Sequence, residues 1–257
     1  DGTQWVEIGS STGGGGWLLN GNAGTVDGVH FIGTMDLVPL SFRVNNEHAG
    51  KIEAGFWANT FLGHEAGLNN VGQGNVALGA RALDSDNTGW LNTAVGISSL
   101  SSNTAGEQNT AIGNSALYNN VTGSNNTVHG SNALSANIAG SNATAIGSSA
   151  LAFANNTPTP FENTNVAVGY EALRGSFVAG NNTGLHNTAI GYRAMMSNAT
   201  GEGNTATGRF ALHSNMSGHS NTAAGVSALM TNTSGNGNTA IGANALLSNN
   251  SGGYNTA

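Results

Sequence analysis

The chain has no cysteine and few charged residues, with only 6 Lys and Arg and 13 Asp and Glu among its 257 residues. Without cysteine, neither a disulfide nor a thiolate metal site can form. The basic residues are too few and too scattered to line a nucleic-acid groove. No apolar run approaches the roughly 20 residues that span a bilayer, and no signal peptide is recognisable. We therefore expect no nucleic-acid partner and no membrane contact within this sequence.

The scarcity of carboxylates also argues against catalysis. Glycoside hydrolysis on a β-solenoid requires paired acids in one groove, and the only close pair is Asp84 and Asp86. That pair lies at a predicted turn, where a solvated corner is the simpler interpretation. The 7 histidines are scattered, and the recurrent Asp of calcium-binding β-rolls is absent. We predict a protein that is not an enzyme and holds no metal or cofactor.

What the chain has in abundance is glycine, 40 residues in all, and a repeated phrase. The copy that begins at Asn92 reads Asn-Thr-Ala-Val-Gly, followed by a Ser-Leu pair, a second Asn at 103 and a second Gly at 106. The phrase begins at Asn59, Asn75, Asn92, Asn109, Asn126, Ala143, Asn165, Asn187, Asn204, Asn221, Asn238 and Asn255. Most starts are 17 residues apart, and two are 22 apart. This period is too short for a helical repeat, so it predicts an all-β parallel β-roll, or β-solenoid, of about eleven coils.

The repeat divides the chain into two segments. Residues 1–55 lack the period but contain short β-type runs at 5–8, 17–20, 30–32, 40–44 and 51–53. We therefore predict a small N-terminal β cap or connector that protects the edge of the first coil. Residues 56–257 form the predicted β-roll. Because the sequence stops three residues into a new copy, we expect it to be part of a longer protein.

An alanine column suggests how the coils assemble. Alternation along a strand turns neighbouring side chains to opposite faces, so if Ile112 points into the roll, Ala111 points out. A solvent-facing position would vary, yet alanine recurs here at Ala94, Ala111, Ala145, Ala167, Ala189, Ala206, Ala223 and Ala240. One coil offers little apolar interior to offset the ordering of its residues. We therefore predict that these alanines pack against sister chains in a homotrimer. A monomeric roll, with alanine selected for its size, is the alternative.

Two further columns complete the predicted coil. The second Asn and Gly of each copy mark a turn, where stacked Asn side chains can form hydrogen bonds from coil to coil. His129 occupies the predicted interior isoleucine column, where we expect a hydrogen-bonded polar side chain or one that lines the trimer axis.

Copies such as 109–117 (Asn-Thr-Ala-Ile-Gly-Asn-Ser-Ala-Leu) and 187–195 resemble the head repeats of trimeric autotransporter adhesins, the YadA-like head. Residues 31–46 resemble the lead-in of trimeric fibre proteins that carry tail-fibre-type chaperone domains. The resemblance implies a left-handed β-roll, three chains per head, and a location on the bacterial outer surface or on a phage fibre. It also implies attachment to another cell, a glycan or a surface.

The two longest coils provide a candidate surface for a glycan or protein receptor. Their extra residues fall in 153–161 and 174–180, on neighbouring coils, with aromatic and arginine residues nearby. The candidate ligand-binding residues are Phe153, Phe161, Phe177, Tyr170, Tyr192, Arg193, Arg209 and Phe210. The alternative is that the insertions are simply tolerated and the aromatic residues pack locally, and the same holds for Trp90.

Three functions remain open at this stage. The leading one is a trimeric fibre or adhesin head that presents loops to a foreign surface. The second is an ice-binding solenoid, because threonine recurs at Thr93, Thr110, Thr127, Thr144, Thr188, Thr205, Thr222 and Thr239. Alternation with Ile112 inside would turn these threonines into the roll, which argues against an ice-binding face. The third is a passive fibre shaft.

Overall fold

The computed structural model describes residues 33–85 and 87–257, and this part of the chain is almost entirely strand and turn. Fifteen short strands follow one another along it, with a single turn of 3-10 helix at Ala179–Asn181. The strands are β1 Leu40–Val44, β2 Glu47–Ile52, β3 Thr60–Leu62, β4 Val76–Leu78, β5 Thr93–Val95, β6 Thr110–Ile112, β7 Thr127–His129, β8 Gly140–Ser141, β9 Thr144–Ile146, β10 Phe161–Glu162, β11 Val166–Val168, β12 Thr188–Ile190, β13 Thr205–Thr207, β14 Thr222–Ala224 and β15 Thr239–Ile241.

The repeat forms the predicted parallel β-solenoid of about eleven coils. Each copy contributes one three-residue strand to a sheet in the order β3-β4-β5-β6-β7-β9-β11-β12-β13-β14-β15, and every neighbouring pair in this series is parallel. Equivalent residues of successive coils are paired, so that Ala94 pairs with Ala111. The two longer coils keep this register, because their extra residues lie in loops outside the strands.

An antiparallel hairpin adjoins the first coil. Strands β1 and β2 pair with each other, and β2 pairs antiparallel with β3. The strand predicted at Leu40–Val44 is thus β1. The runs predicted at 5–8, 17–20 and 30–32 lie outside the described residues, so the extent and capping role of the 1–55 segment stay a prediction.

Apart from its first glycine, each coil has three positions where the backbone adopts the left-handed conformation. In the coil that begins at Asn92 these are Ser98 (φ 54°), Leu100 (φ 53°) and Gln108 (φ 55°). Because the left-handed conformation breaks the alternation of a strand, two neighbouring residues, Ser99 and Leu100, can both face the interior, and both are buried. The leucine column is therefore inside the coil, as a satisfactory core requires.

The predicted orientation of the strands was wrong. All eight alanines assigned to trimer packing are 0% exposed within the single chain, so they lie inside the coil and cannot contact a sister chain. The isoleucine column points outward instead, with Ile190 41% and Ile241 67% exposed. His129, predicted to lie inside, is exposed on the same outer side.

The reason for the inversion is the small space inside one coil. The interior must hold the strand residue together with the small residue and leucine of the opposite wall, such as Ala116 and Leu117 next to Ala111. Close packing leaves no room for a branched side chain at every strand centre. The constancy of alanine thus reflects close packing, as predicted, but the packing is within one chain. Along β3–β15 the column departs from alanine at its first member, the buried Phe61, and at its fifth, the buried Val128.

Two buried asparagine ladders run along the interior. Asn109 donates from its backbone N to Asn92 Oδ1 (3.0 Å) and from Nδ2 to the carbonyl of Gly123 (2.9 Å). In the second ladder Asn120 donates from Nδ2 to Asn103 Oδ1 (2.8 Å) and to the same Gly123 carbonyl (2.9 Å). One buried carbonyl per coil therefore accepts from both ladders. The stacked asparagines that the sequence indicated satisfy the backbone at these corners.

Both ladders are interrupted at the longer coils. Ala143 replaces the opening asparagine and has no side-chain amide, and Asn163 takes over as acceptor for Asn165 Nδ2 at 2.8 Å. In the second ladder Oδ1 of Asn137 is buried without a hydrogen-bond partner. The insertions are thus tolerated at the cost of local hydrogen bonding.

The first glycine of each copy makes a close contact with the next coil, and this contact yields a prediction. A Cβ on Gly113 (φ 133°) would lie 2.7 Å from the carbonyl carbon and oxygen of Gly130 on the next coil. Gly242 has a similar φ of 125°, but a Cβ there would meet nothing within 4 Å. We expect Gly113→Ala to lower the free energy of unfolding by about 2–4 kcal/mol, because strain and overlap add.

The matched variant Gly242→Ala carries the same backbone strain without the overlap, so it should cost only about 1 kcal/mol. Urea unfolding followed by circular dichroism measures both. Equal losses for the two variants would show that contact between coils does not determine this column.

Candidate binding surfaces

The outward side chains of the parallel strands form one continuous surface, which we call the Thr/Ile face. It consists of the first and third residues of β3–β7, β9 and β11–β15, with threonine or valine in the first column and mostly isoleucine, valine or leucine in the second. Neither column contains Asp, Glu, Lys or Arg. The threonines predicted to point inward therefore point outward, beside the aliphatic column.

The area of this face is substantial. Strands in a sheet are about 4.8 Å apart, so eleven of them extend for about 50 Å, with about 7 Å between the two columns. Contiguous apolar patches of a few hundred Å² on a soluble protein mark interaction sites. The single chain leaves the Thr/Ile face uncovered within its described residues.

The structure brings five of the predicted ligand-binding residues into one cluster, the Tyr/Arg cluster. The rings of Tyr170 and Tyr192 stack at 5.5 Å between centroids, and Phe210 meets Tyr192 edge-on at 5.4 Å. The Arg193 guanidinium lies 5.2 Å from the Tyr192 centroid, and that of Arg209 lies 4.8 Å from the Phe210 centroid. These contacts follow from the register, which places equivalent residues of successive coils above one another.

A buried carboxylate pairs with two arginines at this cluster. Glu171, which is 8% exposed, accepts hydrogen bonds from Arg193 Nε at 2.6 Å and from Arg174 at 3.0 Å. The hydrogen bond that Arg193 donates to Glu171 raises the pKa of the Arg193 guanidinium. Burial, and then the nearby Arg193 and Arg174, lower the pKa of His213. Arg174 and Arg193 are therefore paired with a carboxylate of the same chain. The exposed Arg209 has no carboxylate partner in the described part of the chain.

The remaining three predicted residues lie in the loops of the long coils. Phe153 and Phe177 pack at 5.1 Å, with the Arg174 guanidinium 4.6 Å from the Phe177 ring. Phe161 lies in β10, where its ring covers the face of Gly140. Phe153 and Phe161 also border an internal cavity of about 20 Å³, which holds no more than about one water. The loops are therefore packed onto the coil and enclose no ligand-sized pocket.

A second group of exposed aromatic residues, missed in the candidate list, lies on the first coils. Phe56 and Trp57 meet edge-on at 5.0 Å and are 91% and 47% exposed. Trp90, 46% exposed, borders a surface depression of about 250 Å³ with Val71 and Gln73. The signal in the sequence was the equal distance of Trp57 and Trp90 from the following threonines, Thr60 and Thr93.

Asp84 is the described member of the close acidic pair in the sequence. Asp84 accepts from Arg81 Nε at 3.0 Å and from Ser101 at 2.6 Å, and Asp86 lies outside the described residues. Among residues 33–85 and 87–257, no group of three or more His, Asp or Glu side chains could hold a metal ion. The same residues include no helix of the length and apolarity needed to cross a membrane.

Comparison with known proteins adds no identification: no family model, no curated protein and no solved structure matches the chain.

The Tyr/Arg cluster predicts a stability difference between two tyrosines of similar exposure. Tyr192 is 42% exposed and contacts Tyr170, Phe210 and Arg193, whereas Tyr118 is 39% exposed and has no aromatic neighbour in the described chain. We expect Tyr192→Ala to lower the free energy of unfolding by about 1–2 kcal/mol more than Tyr118→Ala, because aromatic pairs contribute beyond their buried area. Urea unfolding of the two variants measures the difference. Equal losses would mean that the cluster does not stabilise the long coils.

Proposed function

We propose that this chain is a rigid head or shaft module of a trimeric surface fibre, whose coils present side chains for attachment to a foreign cell, glycan or surface. The observation that supports the proposal is the uncovered Thr/Ile face. A surface of β-branched side chains without Asp, Glu, Lys or Arg suits close packing against another protein surface. The alanine columns no longer contribute to this argument, since they are filled from within.

The occupant that fits this face best is a second and a third copy of the same chain. Three parallel copies in register around an axis along the solenoid would place each coil beside its equivalents. The aliphatic column has smaller or polar members at His129, Thr207 and Ala224, and only copies in register would bring these irregular levels together. Closed symmetry of this kind leaves no Thr/Ile face uncovered.

The Tyr/Arg cluster supplies a surface for attachment in this arrangement. In each of their coils, one glycine separates the tyrosine from the last residue of the strand. Tyr170 and Tyr192 therefore lie at the rim of the Thr/Ile face. The exposed Arg209 continues the same column and offers hydrogen-bond donors to a receptor. Aromatic and arginine side chains at a rim are typical of recognition surfaces.

One observation favours a second candidate, an ice-binding solenoid. The threonine column points outward, so the argument from strand alternation against an ice-binding face no longer holds. The threonines form a regular column on a β-sheet surface. Thermal hysteresis of the purified chain separates the candidates. A monomer with hysteresis that disappears in Thr188→Lys supports ice binding, and a trimer without hysteresis supports the fibre module.

The trimer is tested by mass. Light scattering should give about three times the chain mass of 25.7 kDa at micromolar concentration. Ile190→Lys places a charge in the middle of the Thr/Ile face, and we expect it to shift the population to monomer because a buried unpaired ammonium is strongly unfavourable.

The matched control is Met216→Lys, which changes an apolar residue of similar exposure (55%) on another wall of the coil and should leave the mass unchanged. A wild-type chain that stays monomeric throughout the accessible concentration range would contradict the trimer.

A further inference from the structure

We propose that the first coils bind a neutral polysaccharide chain along one outward column, the tryptophan column, formed by Trp57, Gln73, Trp90 and Glu107. This inference extends the attachment role proposed above by naming a ligand class and a second site. It concerns a wall of the coil distinct from the Tyr/Arg cluster and uses different residues.

The register places the four side chains in one line. Each of them precedes the first residue of its strand by three positions, and those strands pair in register from β3 to β6. Backbone hydrogen bonds confirm the stacking at this column: Gly74 N donates to the carbonyl of Trp57 at 2.8 Å, and Leu91 N donates to that of Gln73 at 3.0 Å. The next coil continues with Gln108 N donating to the carbonyl of Trp90 at 3.0 Å.

The spacing suits an extended sugar chain. With about 4.8 Å between coils, the two indoles are attached about 10 Å apart, with a glutamine at the level between them. An extended polysaccharide advances by about one coil spacing per sugar residue. Two indoles could therefore stack on every second sugar ring, while the intervening level offers an amide. An indole provides a large apolar face for the C–H groups of a pyranose.

The polar groups of the column suit hydroxyl groups. Gln73 is exposed, and its amide, which can donate and accept, makes no hydrogen bond within the described part of the chain. Glu107, half-buried at the end of the column, can accept from a sugar hydroxyl. The depression of about 250 Å³ between Trp90, Gln73 and Val71 gives the surface a concave section.

The charge of the surface selects against an anionic ligand. The column has one carboxylate and no Lys or Arg, so a sulfated or uronic-acid polymer would meet repulsion without a compensating cation. A purely apolar partner would leave Gln73 and Glu107 covered without hydrogen-bond partners, which is costly. A neutral, hydroxyl-rich chain satisfies both the indoles and the polar side chains.

The experiment is isothermal titration of the full chain with hexasaccharides of β-linked glucose, xylose and N-acetylglucosamine, with polygalacturonate as the anionic comparison. We expect at least one neutral hexasaccharide to bind, and Trp90→Ala and Trp57→Ala each to weaken its affinity by about tenfold or more, since one lost aromatic stack accounts for such a factor. Trp90→Phe should retain more of the affinity than Trp90→Ala.

The control is Tyr118→Ala, which removes an exposed aromatic side chain of another column and should leave the affinity unchanged. The inference is overturned if none of the neutral hexasaccharides binds, if polygalacturonate binds more tightly than they do, or if the tryptophan variants bind as well as wild type. Light scattering on the same samples reports the oligomeric state, so a failure of sugar binding is distinguishable from a failure of trimer assembly.

Discussion

The structure depends on one buried acceptor per coil, the carbonyl of the second glycine, which receives hydrogen bonds from both asparagine ladders. At Gly123 the donors are Asn109 and Asn120, each at 2.9 Å. An unpaired buried carbonyl costs about 1–3 kcal/mol, so the two ladders are retained along the solenoid wherever the coil length allows. The same glycine has no room for a Cβ, since one would lie against the Gly140 carbonyl of the next coil. Hydrogen bonding and close approach of successive coils thus require the same residue types at the same positions.

This arrangement determines what the outer surface can be. With two asparagines and one leucine filling most coils, the strand directs alanine inward in every coil except those of Phe61 and Val128, and its first and third residues face outward. A single chain is therefore folded around a narrow polar and apolar core, and it still presents a long face without Asp, Glu, Lys or Arg. The two properties together favour assembly through the Thr/Ile face, and they leave surfaces beside that face for aromatic groups such as the Tyr/Arg cluster and the tryptophan column.

The fold was predictable from periodicity alone, because a fixed 17-residue repeat and its punctuating glycines indicate one coil per copy. The orientation of the strands was not, because alternation specifies that Ala111 and Ile112 face opposite ways without saying which faces in. Hydrophobicity alone predicts that the isoleucine is the buried residue, but the small volume inside the coil accommodates the alanine instead. The left-handed conformation at leucine positions such as Leu117 (φ 53°) also leaves no signal in a sequence, since leucine rarely adopts it. The Tyr/Arg cluster was foreseeable from register, whereas the carboxylate of Glu171 between two arginines required coordinates.

The absence of cysteine allows a direct test of which side chains face in. Single-cysteine variants at Ala111 and Ile112 differ by one position and should behave oppositely under mild oxidation. The structure and the proposed trimer together predict that Ala111→Cys stays unlabelled and uncrosslinked in the native state, whereas Ile112→Cys forms disulfides between chains. Rapid labelling or crosslinking of Ala111→Cys in the folded protein, with Ile112→Cys protected and monomeric, would contradict the account.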